Sequence, residues 1–221
     1  DLLDNDGDLD LVVGNHGLNS KFKASKNNPI KLFMKDFDQN GFIDPILTFH
    51  ALDGKDYPYD LRHNLIDQMK GLKKKFPDYE SFKNASITEL LTPENLEDAL
   101  EFEINTLSSV ILINEGNFNF SVKNLPFEAQ LSPIYAIAIN DFDKDGDQDI
   151  IIGGNLYSVK PEVGRYDASF GNYLENQGNM IFKNHQNGNG FFIDGEIRTI
   201  LLNKQQLIVA RNSDSLVIFK Y

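Results

Sequence analysis

Short apolar runs rich in Val, Ile and Leu recur along the chain, separated by clusters of Gly, Asn and Asp. Runs this short and this β-branched, with turn residues at both ends, read as strands rather than helices. Strands are predicted at about 9–14, 30–35, 44–50, 108–113, 135–140, 149–153, 172–175, 197–202, 206–210 and 215–220. The stretch 57–103 follows another period. Leu65, Ile66, Met69, Leu72 and Phe76 fall at the three- and four-residue steps of an amphipathic helix. Ser86 to Glu89 has the spacing of a capping box, and Thr92-Pro93-Glu94 places an N-cap before a Pro at the first helical position. A helical insertion between strands follows, dividing the chain into 1–56, 57–103 and 104–221. Its Lys73-Lys74-Lys75 run reads as a solvated face.

The strands belong to repeats. Asn114-Glu115-Gly116-Asn117-Phe118-Asn119-Phe120 returns as Asn176-Gln177-Gly178-Asn179-Met180-Ile181-Phe182, a step of 62 residues. Asp10-Leu11-Val12-Val13-Gly14-Asn15 returns as Asp149-Ile150-Ile151-Ile152-Gly153-Gly154-Asn155, and Leu207-Ile208-Val209-Ala210-Arg211-Asn212 keeps the strand without the acids. The approach to this last copy, Leu201 to Gln206, reads as a plain turn. Several short strands per repeat of about 60 residues suggest the blades of a β-propeller. The fold class expected is all-β: a partial propeller of about three and a half blades with a helical insertion, the remaining blades lying upstream or in a partner chain.

Ahead of three strands sits an acidic loop. In Asp141-Phe142-Asp143-Lys144-Asp145-Gly146-Asp147-Gln148-Asp149, carboxylates stand at positions 1, 3, 5 and 9, and Gly146 permits the sharp turn that folds them around one centre. Such a loop suits Ca²⁺, which takes six to eight oxygen ligands; the backbone carbonyl of Asp147 and water complete the shell. An EF-hand is excluded, because position 12 is Ile152 in a β-type run rather than a Glu entering a helix. Asp36, Asp38, Asn40 and Asp44 repeat the spacing, with Phe42 at the position of the backbone carbonyl. The first loop, with Asp1, Asp4, Asp6, Asp8 and Asp10, departs from it, since counting back from Gly7 puts Leu2 at position 1. Two to three calcium ions are expected.

The balance of 21 Lys and Arg against 33 Asp and Glu, net −12, argues against nucleic acid, which needs a basic footprint. Much of the acidic excess lies in the three loops. There is no cysteine, so thiolate catalysis and Cys-type zinc sites are excluded. No apolar run approaches the length of a membrane span. The chain opens inside a motif, without an initiator Met, and reads as a fragment with any signal peptide upstream.

The loop Asp-x-Asp-x-Asp-Gly-x-x-Asp entering an apolar strand, with the Asn-x-Gly-Asn-x-x-Phe element, resembles the FG-GAP/VCBS repeats of integrin-α-type propellers. It is similar also to the large repeat proteins of Bacteroidetes with an ASPIC/UnbV region. Phe170-Gly171 reads as a remnant of the Phe-Gly half of the FG-GAP name. The resemblance covers most of the chain outside 57–103 and implies a calcium-bearing propeller of a secreted or cell-surface protein, with a bacterial envelope location. No nucleophile motif, phosphate-cradling loop or His-x-x-x-His spacing appears, which favours a non-catalytic module for adhesion, glycan or protein binding, or scaffolding. The alternative is the propeller portion of a polysaccharide lyase or hydrolase. Tyr57, Tyr59, Arg165, Tyr166 and Asp167 are weaker candidates for ligand contact, as aromatic and charged residues in loop-like stretches.

Overall fold

A computed structural model describes residues 3–185 and 191–221. Strand outweighs helix, 35% against 13%, and the strands form four separate antiparallel sheets, so the framework is all-β. In chain order the strands are β1 (Leu11–Val13), β2 (Ile30–Lys35), β3 (Asp44–His50), β4 (Asp56–Pro58), β5 (Leu100–Ile104), β6 (Val110–Asn114) and β7 (Phe120–Asn124). They continue as β8 (Ile134–Asn140), β9 (Asp149–Gly154), β10 (Asn172–Asn176), β11 (Phe182–His185), β12 (Ile197–Asn203), β13 (Gln206–Arg211) and β14 (Val217–Lys220).

Two compact units result. One is Phe22–Thr106, and the other joins Asp1–Lys21 to Leu107–Tyr221. The interruption is thus wider than the expected 57–103. It takes in β2, β3 and the acidic loop between them, which the sequence pattern groups with the first strand in 1–56. The physical reason lies in the core. Phe33 of β2, Ile46 of β3 and Phe37 of the loop bury together with Leu65, Met69, Leu72, Phe76, Ile87 and Leu90. Helices therefore complete the apolar face of this sheet.

The helices of the 22–106 unit are α1 (Arg62–Gln68), α2 (Leu72–Lys75), α3 (Tyr79–Phe82), α4 (Ile87–Leu90) and α5 (Pro93–Glu97). All are short, so tertiary burial rather than propensity holds them. Their caps are the expected ones: Glu89 Oε2 accepts from the Ser86 amide at 2.8 Å, and Pro93 opens α5 behind Thr92. The sheet order is β4-β3-β2-β5. The outer strand Leu-Glu-Phe-Glu-Ile pairs with β2 from Ile30↔Ile104 to Met34↔Leu100, and Lys31 of β2 meets Glu101 at 2.7 Å.

In the other unit β1 pairs with β6, which lies beyond the whole 22–106 segment in sequence, and the sheet runs β1-β6-β7. The next sheet is the meander β8 to β11, and the third is β12-β13-β14. The middle sheet is apolar on both faces. Ile150, Ile152 and Leu174 bury against Ile111, with Val12 and Ile113 beside it, while Ala136, Ala138, Ile151 and Tyr173 bury against Ile200, Leu207 and Val209. Each fully buried Ile or Leu contributes roughly 1.5–3 kcal/mol, so these two seams fix the serial stacking of the three sheets. Both end faces of the series are also apolar: Leu11, Val13, Phe120 and Val122 are 49%, 39%, 42% and 67% exposed at one end, and Leu201 and Ile218 are 57% and 59% exposed at the other. In the third sheet a two-residue turn, Lys204-Gln205, joins β12 to β13 through the Asn203↔Gln206 pair, where β8 and β9 are joined by the acidic loop.

Candidate metal centres

The three acidic loops share one backbone path. Positions 4 and 6 are left-handed in each: Asn5 and Gly7 (φ 63° and 103°), Gln39 and Gly41 (58° and 90°), Lys144 and Gly146 (68° and 104°). A glycine at position 6 meets the larger angle without a Cβ clash. The ninth-position carboxylate closes each loop by accepting from the second-position amide: Asp10 from Leu3 at 2.9 Å, Asp44 from Phe37 at 2.9 Å, Asp149 from Phe142 at 3.1 Å. The first-position carboxylate caps the amides of the turn in two loops. Asp36 accepts from Asn40 and Gly41 at 2.9 and 2.8 Å, and Asp141 accepts from Lys144, Asp145 and Gly146 at 2.7, 3.1 and 3.2 Å.

In those two loops the carboxylates converge. Asp36, Asp38 and Asp44 form one triple and Asp141, Asp143 and Asp149 another, with the ligand oxygens of each triple all within 4.8 Å of one another. Either triple could hold a metal ion. Burial rises from Asp38 and Asp143, which are exposed, to Asp44 and Asp149, which are buried. Asp145 and Asn40 at position 5 lie outside the triples. Their side-chain oxygens accept from the following Asp147 and Phe42 amides, each at 2.9 Å. Phe42 itself is largely exposed.

The first loop differs. Asp1 lies outside the described residues, position 1 is Leu2, and Asp4, Asp6, Asp8 and Asp10 form no such triple among the described residues. Asp4 and Asp6 instead accept from the Asp6 and Asp8 amides at 3.2 and 2.9 Å, and Asn5 donates to Asp147 of the third loop at 3.0 Å.

Three carboxyls of the two triples are held above the ordinary Asp value. Burial pushes the Asp149 carboxyl up, opposed by three hydrogen bonds and assisted by Asp145. Burial likewise raises Asp143, with Asp149, Asp145 and Glu175 adding, and raises Asp44, with Asp38 and Asp36 adding.

A second part of the site is the repeated Asn-x-Gly element, which the sequence displays without showing its task. The Asn176 amide donates to Asp149 Oδ1 at 2.8 Å, and its side chain donates to the Gln148 and Leu3 carbonyls at 3.3 Å. Asn114 does the same for the first loop, its amide donating to Asp10 Oδ1 at 3.0 Å and its side chain to the Leu9 carbonyl at 3.4 Å. The spacing repeat was legible; the pairing of β10 with β9 and of β6 with β1, which aims the Asn at the loop, was not.

The weaker candidates serve packing in part. Tyr57 donates to Asp53 at 2.7 Å and lies against Phe49, and Tyr59 packs on Phe22 and Phe49. Tyr166 is buried with its ring edge-on to His16, Arg165 lies over the Tyr157 ring at 5.2 Å, and Asp167 is exposed. No protein-family model, curated protein or solved structure matches the chain.

Proposed function

We propose that the chain is part of a calcium-stapled β-propeller, a non-catalytic module for adhesion, glycan or protein binding, or scaffolding on a secreted or cell-surface protein. The observation that carries this reading is the recurrence of one loop with one hydrogen-bonding scheme, brought each time to a carboxylate at the mouth of a sheet. Sheets stacked in series with apolar faces left at both ends add to it, because such faces are the surfaces that further blades cover. Asp36, Asp38 and Asp44 hold one ion and Asp141, Asp143 and Asp149 the other, with Asn40, Asp145 and the carbonyls of Phe42 and Asp147 within the same loops. Bound calcium supplies the positive charge that lets these carboxylates stay ionised together. The protein's own part is to hold the oxygens in place and to make the loop tips rigid. Extracellular calcium, at millimolar levels, fills even weak sites of this type. Among the described residues, no helix is long and apolar enough to cross a membrane.

A panel of acidic and neutral polysaccharides tests the reading, with binding and product release followed together, with and without calcium. Binding without cleavage, lost on chelation, is the expected outcome. Cleavage that disappears in Tyr166→Phe or Asp167→Asn would replace this reading with that of a lyase or hydrolase.

A further inference from the structure

The two carboxylate triples differ at one point outside the loops. Tyr173 on β10 donates its hydroxyl to Asp149 Oδ2 at 2.9 Å. It is 6% exposed, and its ring is fixed by Phe142 edge-on at 6.0 Å and by His185 at 5.5 Å. Phe142 sits between Asp141 and Asp143, so the contact that fixes the ring also touches the loop. A carboxylate offers about four lone-pair positions. On Asp149 the Phe142 amide and the Tyr173 hydroxyl occupy Oδ2, and the Asn176 amide takes one position on Oδ1. The open lone pair is therefore on Oδ1. At the other triple Asp44 accepts from the Phe37 amide, with no phenol donor among the described residues. In the first sheet Ile111 stands where Tyr173 stands in the second, each being the residue three before the Asn of the Asn-x-Gly element.

We infer that Tyr173 is a positioning residue for the ion at 141–149: its phenol holds Asp149 with Oδ1 presented to the metal, so this centre depends on a side chain that the centre at 36–44 does not have. The inference rests on the calcium reading above. A donor to a ligating carboxylate fixes its orientation, and losing such a partner typically weakens metal binding by about 10–100-fold. Phe at this position keeps the ring and its contacts and removes the hydroxyl alone.

Calorimetric titration of the full chain with Ca²⁺ tests this, using Asp36→Ala to isolate the centre at 141–149 and Asp141→Ala to isolate the centre at 36–44. Adding Tyr173→Phe to Asp36→Ala is expected to weaken binding by about 10-fold or more, and adding it to Asp141→Ala to change nothing. Unchanged affinity in the Asp36→Ala background overturns the role, as does a Tyr173→Phe effect confined to the metal-free melting temperature, which would make the residue merely a packing element. Should Tyr173→Phe fail to fold, the tyrosine absorption band of Asp36→Ala during the calcium titration decides. A shift that saturates with the ion supports the contact, and a band that stays still contradicts it. Absence of any calcium heat in the unmodified chain would sink the calcium reading itself, and with it the role of Tyr173.

Discussion

The loops at 36–44 and 141–149 have the same backbone turn, a first-position carboxylate that caps the turn amides, and a matching triple of carboxylates, yet they are embedded differently. Asp149 is held by its own loop and by the neighbouring strand: the Phe142 amide of the loop and the Asn176 amide and Tyr173 hydroxyl of β10 all point at it. Asp44 is held by its own loop, through the Phe37 amide. The sheet behind the loop at 36–44 is completed by helices and that behind the loop at 141–149 by other sheets. A nine-residue loop thus carries its turn geometry with it, while the rigidity of its buried carboxylate is set by whatever strand lies alongside.

Removing that carboxylate should separate the two most sharply. Asp149→Ala leaves three buried or partly buried donors without an acceptor, each worth about 1–3 kcal/mol, so a loss of roughly 3–5 kcal/mol is expected even in chelator. Asp44→Ala orphans the Phe37 amide and should lose about 1–3 kcal/mol. Denaturant unfolding of both variants in chelator measures the gap, and equal losses would show that the Asn176 and Tyr173 contacts contribute nothing.

A smaller effect is expected from pH. Burial and neighbouring carboxylates hold Asp149, Asp143 and Asp44 above the ordinary Asp value of 3.8. A native state whose carboxyls sit above their unfolded pKa binds more protons than the unfolded chain. Its metal-free stability is therefore present at low pH and declines as pH rises from about 3.8 through the raised values. Calcium needs the ionised oxygens, so its binding strengthens through the same window. The melting-temperature increment produced by calcium should widen as pH rises there and then level off. Groups such as Asp78, Glu89 and Glu196, whose pKa values are lowered by hydrogen bonds, act with and without the ion and cancel in the difference. An increment that shrinks with rising pH would contradict the assignment of these carboxylates to metal.

The smallest effect should be the same at both loops. Gln39 and Lys144 adopt left-handed angles, which cost a non-glycine residue roughly 1–2 kcal/mol, partly offset in a glycine by its larger unfolded-state entropy. Gln39→Gly and Lys144→Gly are each expected to stabilise by about 0.5–1 kcal/mol in chelator, read by thermal melting. A gain at one loop with a loss at the other would show that the shared backbone path is not shared in energy.

Much of this was legible in the sequence, for identifiable reasons. Short β-branched runs located β1, β2, β3, β6, β8, β9, β10, β12, β13 and β14, and the carboxylate spacing marked the loops in which the two triples lie. The Ser86–Glu89 and Thr92-Pro93 signals placed helix starts because capping is a local interaction. The extent of the 22–106 unit was hidden, since β2, its acidic loop and β3 look in sequence like the blade repeat, and only packing shows that helices cover them. Leu100–Ile104 alternates apolar and acidic residues, a strand pattern that a helical reading of 57–103 overrides. Ser121 and Lys123 alternate with Phe120 and Val122 in β7 in the same way, and Phe182–His185 is too short and polar to announce itself. The contacts of Asn114, Asn176 and Tyr173 with the loops arise from strand pairing across distant sequence, which no local pattern encodes.

Anomalous diffraction from crystals of the full chain grown with calcium tests the central claim most directly. Two ions are expected, one against Asp36, Asp38 and Asp44 and one against Asp141, Asp143 and Asp149, with metal–oxygen distances of about 2.3–2.6 Å. Distances near 2.1 Å in octahedral geometry would assign Mg²⁺ instead, and no anomalous peak at either triple would contradict the account.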